Sequence, residues 1–156
     1  MSQNKERINK FYTAFQKKDY KTMQDCYANN ATFSDPVFEN LNAAEVRAMW
    51  QMLITRATDL AFEFKNVEAD ETSGSAEWTA VYTFSATGKK VINKIKANFV
   101  FENGKIKEHK DNFDFYTWAR QALGFKGLLL GWTSFFHHKV KQQARNNLIK
   151  FMNKPG

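Results

Sequence analysis

The sequence predicts an α+β fold, and three observations carry that prediction. Up to residue 57 the apolar residues recur at helical spacing. From residue 61 they alternate instead, so the period falls from about 3.6 to 2. Glu102-Asn-Gly104 joins the last two alternating segments, and Asn-Gly is the turn that accepts positive φ between antiparallel strands. The order helix, helix, strand, helix and then four strands, without repeats or a low-complexity linker, is that of an α+β protein.

Each element has its own reason. Ile8, Phe11, Tyr12 and Phe15 place an amphipathic helix at residues 4–17. Asp19 caps a second short helix carrying Met23, Cys26 and Tyr27 on its buried side. Ala31-Thr-Phe-Ser-Asp-Pro-Val-Phe38 reads as a short strand ending at a turn. Asn42 caps a third helix, with Glu45 placed to answer it in a capping box. Val46, Met49, Trp50, Leu53 and Ala57 form its apolar face.

The strands follow. Residues 61–68 carry Phe62 and Phe64 on one side, and 77–85 carry Trp78, Ala80, Tyr82 and Phe84. Residues 91–101 turn Asn93, Ile95, Ala97, Phe99 and Phe101 inward, with Lys94, Lys96 and Asn98 outward. The last strand, 105–115, has His109, Asp111, Phe113 and Phe115 on one face. Joined by short turns, these make a curved antiparallel meander with one wet face, and the three helices cover the other. Beyond it, Tyr116–Leu123 is helical and closed by Gly124. Thr133 or Ser134 caps a longer helix to Phe151, with Phe136, Val140, Ala144, Leu148 and Phe151 on one side and Lys139, Lys141, Arg145 and Lys150 on the other.

A length of 156 residues suits one domain. We expect an α+β body over 1–115 and a helical extension over 116–156 packed on it. Cys26 is the single cysteine, so no internal disulfide is expected and a reducing compartment fits. The N-terminus lacks an apolar signal core, and the longest apolar run, Gly127–Trp132, is too short to span a bilayer. A cytoplasmic protein is the expectation. Residues 1–114 hold 16 Lys and Arg against 16 Asp and Glu, whereas the rest hold seven cations and no acid, which accounts for the net +7. A neutral body argues against nucleic acid as a partner, and the basic tail is the surface for any anionic one.

Asp35 is the leading candidate for chemistry. It is a lone carboxylate among small and apolar residues, and Pro36 extends it and removes the next backbone donor. The same Asp-Pro pair also reads as an ordinary surface turn. His109 and Asp111, two apart on one strand face, can enter the same cavity, as an acid–base pair or as a satisfied structural pair. Asp114, on the opposite phase, reads as the cap of the helix at Tyr116. Trp50, Trp78, Tyr82, Phe99 and Trp118 are either the wall of an apolar ligand pocket or core filler. No ligand set has metal-site spacing and there is no phosphate-binding glycine loop, so neither metal nor cofactor is expected. The tail's apolar stripe packs on the body or a dimer partner in the favoured reading, and lies on anionic lipid in the weaker one. Trp118, Leu128–Leu130 and Trp132 are also placed to form a lid.

Lys18-Asp-Tyr20, Tyr27-Ala28, Ala31-Thr-Phe-Ser-Asp-Pro-Val37 and Asn98-Phe-Val-Phe-Glu-Asn-Gly104, with the helix and strand order around them, resemble the NTF2-like superfamily. More narrowly, residues 4–115 are similar to its SnoaL-like and ketosteroid-isomerase-like bacterial members. The resemblance implies a cystatin-like cone, a curved sheet wrapped around the N-terminal helices with an internal pocket, and a homodimer through the sheet. It implies that Asp35 is the proton-abstracting base. It departs from the pattern elsewhere. The first-helix oxyanion tyrosine falls on Phe11, with Tyr12 one residue away, and the second donor, an acid, falls on Ala97. Losing such donors costs roughly 2.7–4 kcal/mol each, so steroid isomerisation is not expected. The expected function is binding of a small apolar organic molecule, polycyclic or polyketide-like, with general-base chemistry by Asp35 assisted by His109, Asp111 and Tyr12. The competing reading is a non-catalytic binding module. Epoxide hydrolysis is less favoured, for want of an Arg-x-Asp strand signature.

Overall fold

In the computed structural model, which describes residues 3–154, the helical spacing of the first segment becomes α1 (Gln3–Gln16). Its face of Ile8, Phe11, Tyr12 and Phe15 is buried. Asp19 caps α2 (Tyr20–Asp25) by accepting from the Thr22 amide. That helix ends earlier than the spacing implied. Cys26 is its C-cap and Tyr27 opens β1 (Tyr27–Ser34), because the Cys26 carbonyl already accepts from the Ile106 amide of a neighbouring strand. A two-residue β2 (Leu41–Asn42) leads into α3 (Ala43–Arg56), where Asn42 and Glu45 make the expected capping box. Leu53 does not join the buried face of α3; it is exposed, and Met52 and Ile54 are buried instead. The buried face there is set by what lies alongside, α6 as well as the sheet, rather than by one stripe.

The strands β3 (Ala61–Ala69), β4 (Ser73–Phe84), β5 (Lys89–Glu102) and β6 (Lys105–Asn112) form the meander. Asn103 and Gly104 both have positive φ, 52° and 75°, which is what a two-residue turn matched to strand twist requires. The sheet order is β2-β1-β6-β5-β4-β3. Every neighbouring pair is antiparallel except β1 and β6, which are parallel. Bulges between Lys65 and Glu68 and between Val100 and Phe101 add twist, and the unclosed sheet curves around α1 and α3.

The C-terminal part builds a second core beside the first. Asp114 caps α4 (Phe115–Leu123), accepting from the Tyr116 and Thr117 amides. This helix lies on β5 beyond the point where β6 ends, and Gln121 continues the ladder there, bonding both the amide and the carbonyl of Ile92. A short α5 (Phe125–Leu130) follows, then α6 (Ser134–Met152), capped by Thr133. Ion pairs of Lys141 with Glu39 and Arg145 with Glu45 tie α6 to the body. Val91, Phe115, Trp118, Ala119, Ala122 and Phe136 form the second cluster. Val37, Tyr82 and Phe113 touch both clusters, and the Val37 amide donates to Asp35.

Candidate functional site

Asp35 begins a tight turn at the end of β1. Its amide donates to the Phe38 carbonyl at 2.8 Å, and its Oδ1 accepts from the amides of Val37 at 2.7 Å and Phe38 at 2.6 Å. Pro36 has no amide hydrogen, so the turn directs the next two donors to the carboxylate. Among the described residues no hydrogen bond reaches Oδ2. The turn and the site are therefore the same structure. Burial pushes the carboxyl up to about 7, against the lowering effect of the two amides, and the nearby Asp111 adds to the rise.

Behind Asp35 runs a buried chain of hydrogen bonds. Trp50 Nε1 donates to Tyr27 Oη at 2.9 Å, Tyr27 Oη lies 2.8 Å from His109 Nδ1, and His109 Nε2 lies 2.8 Å from Asp111 Oδ1. An indole can only donate, so Tyr27 accepts from Trp50; with His109 neutral and its hydrogen on Nε2, Tyr27 passes its own hydrogen to Nδ1 and Nε2 donates to Asp111. Both ring nitrogens of His109 are thus occupied. The ring is walled by Phe33, Phe99 and Phe11, with centroids 4.9, 4.4 and 5.7 Å away. His109 therefore orients Asp111 from the interior. Parallel pairing of β1 with β6, Phe33 opposite His109, brings the chain together.

The sequence-predicted residues divide by position. Phe11, Trp50, Trp78 and Phe99 are buried and pack ring against ring, filling the space between α1, α3 and the sheet. Tyr12 is buried among Phe62, Phe64 and Trp78, and its hydroxyl has no partner among the described residues; neither has Trp78 Nε1. Burial, and then the Asp111 charge, hold the Tyr12 hydroxyl well above its usual value, so it remains a donor. Ala97 sits directly opposite Asp111 in the β5–β6 register. The acid that the resemblance expected at Ala97 is thus present one strand over, on the same face. Trp118 closes the end of the cone, donating from Nε1 to Tyr82 Oη at 2.9 Å. Tyr82 in turn feels the charge of Asp35.

Leu128–Leu130 and Trp132 take no part in that closure, because they point to solvent. A groove of about 460 Å³ opens outside the cone, between Val37–Asn40 and His138, Lys141, Gln142 and Arg145 of α6.

Residues 8–109 match the SnoaL-like domain. The chain belongs to the SnoaL-like domain family. No curated protein matches it. Among solved structures it is similar to an NTF2-like protein of unknown function from Burkholderia pseudomallei (19% identity, TM-score 0.68, 78% of this chain and 98% of that one). It is also similar to IdmH, a putative polyketide cyclase from Streptomyces antibioticus (19%, 0.64, 77% and 98%). An LEH-like epoxide hydrolase from M. tuberculosis matches at 19%, 0.60, 86% and 95%. At such identities the likeness establishes the NTF2-like fold.

Two residues of this SnoaL-like chain escaped the sequence reading. Tyr27 was assigned to a helix face, and only the parallel register carries it to His109. His137 is not among the residues the sequence singles out. It stacks on Phe115 at 3.8 Å and its Nε2 lies 2.6 Å from the Pro36 carbonyl, so α6 holds the Asp35 turn. No local signal in the sequence marks either contact, since each spans more than 80 residues.

Proposed function

We propose that the protein binds a small apolar organic molecule at the Asp35 end of the cone and that Asp35 removes a proton from one of its carbons. The observation that carries this reading is a carboxyl raised to about 7, with Oδ1 fixed by two amides and no hydrogen bond to Oδ2 among the described residues. A base of that strength is half-ionised at neutral pH, where general-base catalysis works best. In the step, Oδ2 takes the proton and the C–H electron pair moves to an adjacent carbonyl, giving an enolate; the acid Asp35 then returns the proton to another carbon. The Tyr12 hydroxyl, buried and without a partner among the described residues, is the donor assigned to the developing oxygen. Partly exposed Val37, Tyr82 and Phe113 would receive the ligand beneath Trp118.

A second reading, a binding module without turnover, is supported by the absence of an acid at Ala97 itself and by the rings that fill the cone. Deuterium incorporation from solvent into the acidic carbons of apolar cyclic ketones and polyketide-like phenols separates the two. We expect exchange that rises with pH to a midpoint of about 7 and falls at least about 100-fold in Asp35→Asn. Exchange unchanged by Asp35→Asn overturns the catalytic role.

A further inference from the structure

Most apolar residues left outside the two cores are concentrated in one place. Of the eleven large hydrophobic side chains exposed among the described residues, six fall within residues 125–135: Phe125, Leu128, Leu129, Leu130, Trp132 and Phe135. Phe125, Trp132 and Phe135 are each more than 70% exposed. Two glycines explain why they face outward. Gly127 is the buried residue of α5, and a Cβ there would overlap the Ala119 carbonyl of α4; a Cβ on Gly131 would overlap the Gly127 carbonyl. The glycine edge of the segment therefore packs on the body, and the Leu, Phe and Trp side chains have only the outside to occupy. The segment is held in this pose. Tyr116 Oη donates to the Leu128 carbonyl, Trp132 Nε1 to the Leu129 carbonyl and Thr133 Oγ1 to the Leu130 carbonyl, at 3.0, 2.9 and 2.7 Å.

The charge around the patch has one sign. Residues 115–156 contain no acid. Lys141 and Arg145 are already paired with Glu39 and Glu45 of the body, but Lys126 and Lys139 have no carboxylate partner among the described residues. Lys139 lies over the Phe135 ring at 5.0 Å and Lys126 over Phe136 at 6.0 Å, so these cations border the apolar surface.

We infer that residues 125–135 are a docking surface for an anionic lipid bilayer. Exposed Trp, Phe and Leu side chains enter the headgroup boundary, and Lys126 and Lys139 meet lipid phosphates. Among the described residues no helix is long and apolar enough to cross a membrane, so the contact is interfacial. The favoured sequence expectation for the tail is a stripe packed on the body or on a dimer partner. The stripe of α6 does face the body, and the lipid surface is a different set of residues.

The full chain carries its own reporter, because Trp50, Trp78 and Trp118 are buried and Trp132 is exposed. Flotation and tryptophan emission should be measured with vesicles of phosphatidylcholine alone and of phosphatidylcholine mixed with phosphatidylglycerol. We expect a blue shift and co-flotation with the anionic vesicles, weakening as salt is raised. Leu129→Ser with Trp132→Ser, and separately Lys126→Ala with Lys139→Ala, should each weaken partitioning by about tenfold or more. These side chains are solvent-exposed, and unchanged far-UV circular dichroism will confirm that the variants fold. No flotation with anionic vesicles overturns the inference. Flotation that both double variants retain overturns it too, since another face would then be responsible. So does a concentration-dependent dimer, abolished by Leu129→Ser with Trp132→Ser, in protein that ignores vesicles; the patch would then belong to a second copy of the chain.

Discussion

Asp111 ends a chain of three partners drawn from α3, β1 and β6, while Asp35 ends a strand and takes its hydrogen bonds from its own turn. Both carboxylates belong to one cone, and Asp35 feels the charge of Asp111. Asp111 is nearly inaccessible, at 2% exposure, and is fixed by a histidine whose nitrogens are both engaged. Asp35 is half-buried beside Val37, which touches both cores, with one oxygen fixed and, among the described residues, no hydrogen bond to the other. The difference teaches that a carboxylate anchored by side chains from distant elements serves the fold. One held only by local backbone has one oxygen fixed by its own turn and, among the described residues, no hydrogen bond to the other.

The largest expected effect tests the anchored side. Asp111→Ala leaves the Nε2 hydrogen of His109 without an acceptor in an apolar interior and should cost about 3 kcal/mol in chemical denaturation. A loss no larger than that of a surface substitution would break the contrast, because Asp111 would not be structural. Tyr27→Phe removes the middle of the same chain, stranding Trp50 Nε1 and His109 Nδ1, and is expected to lower stability by about 2 kcal/mol.

The Asp35 side is sharpened by pH. Its folded value of about 7 lies above that of an unfolded aspartate, so the folded state holds more protons between about pH 4 and 7. Stability therefore falls as pH rises through that window. Asp35→Asn should abolish that part of the fall, leaving the variant about 1–2 kcal/mol more stable than wild type at about pH 8, with the two converging near about pH 4. Parallel stability–pH curves for the two proteins would erase the distinction between the carboxylates. The smallest effect concerns the closure. Trp118→Phe loses the bond to Tyr82 and should cost about 1 kcal/mol, read as a lower thermal midpoint.

Much of this was legible in the sequence, and the reason is range. Caps, turns and face periodicities are decided within a few residues, so Asp19, Asn42 with Glu45, Asn103-Gly104 and Asp114 are placed correctly, and of the two candidates Thr133 and Ser134 the structure takes Thr133. Alternation likewise put Asn93, Ile95, Ala97, Phe99, His109 and Asp111 inward. Contacts fixed by strand pairing were not legible. Nothing local to Tyr27 indicates a parallel partner 79 residues on, at Ile106, and nothing local to His137 indicates Pro36. The lid expected of Leu128–Leu130 and Trp132 does not form, because the glycines at 127 and 131 decide which edge of α5 approaches the body and the apolar side chains face solvent. For Asp35 the turn is present, with its carboxylate accepting from two amides of that turn.

The central claim is that Asp35, unlike an ordinary aspartate, exchanges its proton near neutrality. The direct measurement is a carbon-13 titration of the side-chain carboxyls, with the Asp35 signal assigned by its loss in Asp35→Asn. The account predicts a midpoint of about 7 for that signal. A midpoint near about 4, the value of a solvated aspartate, would contradict it and leave Asp35 as the cap of a turn and nothing more.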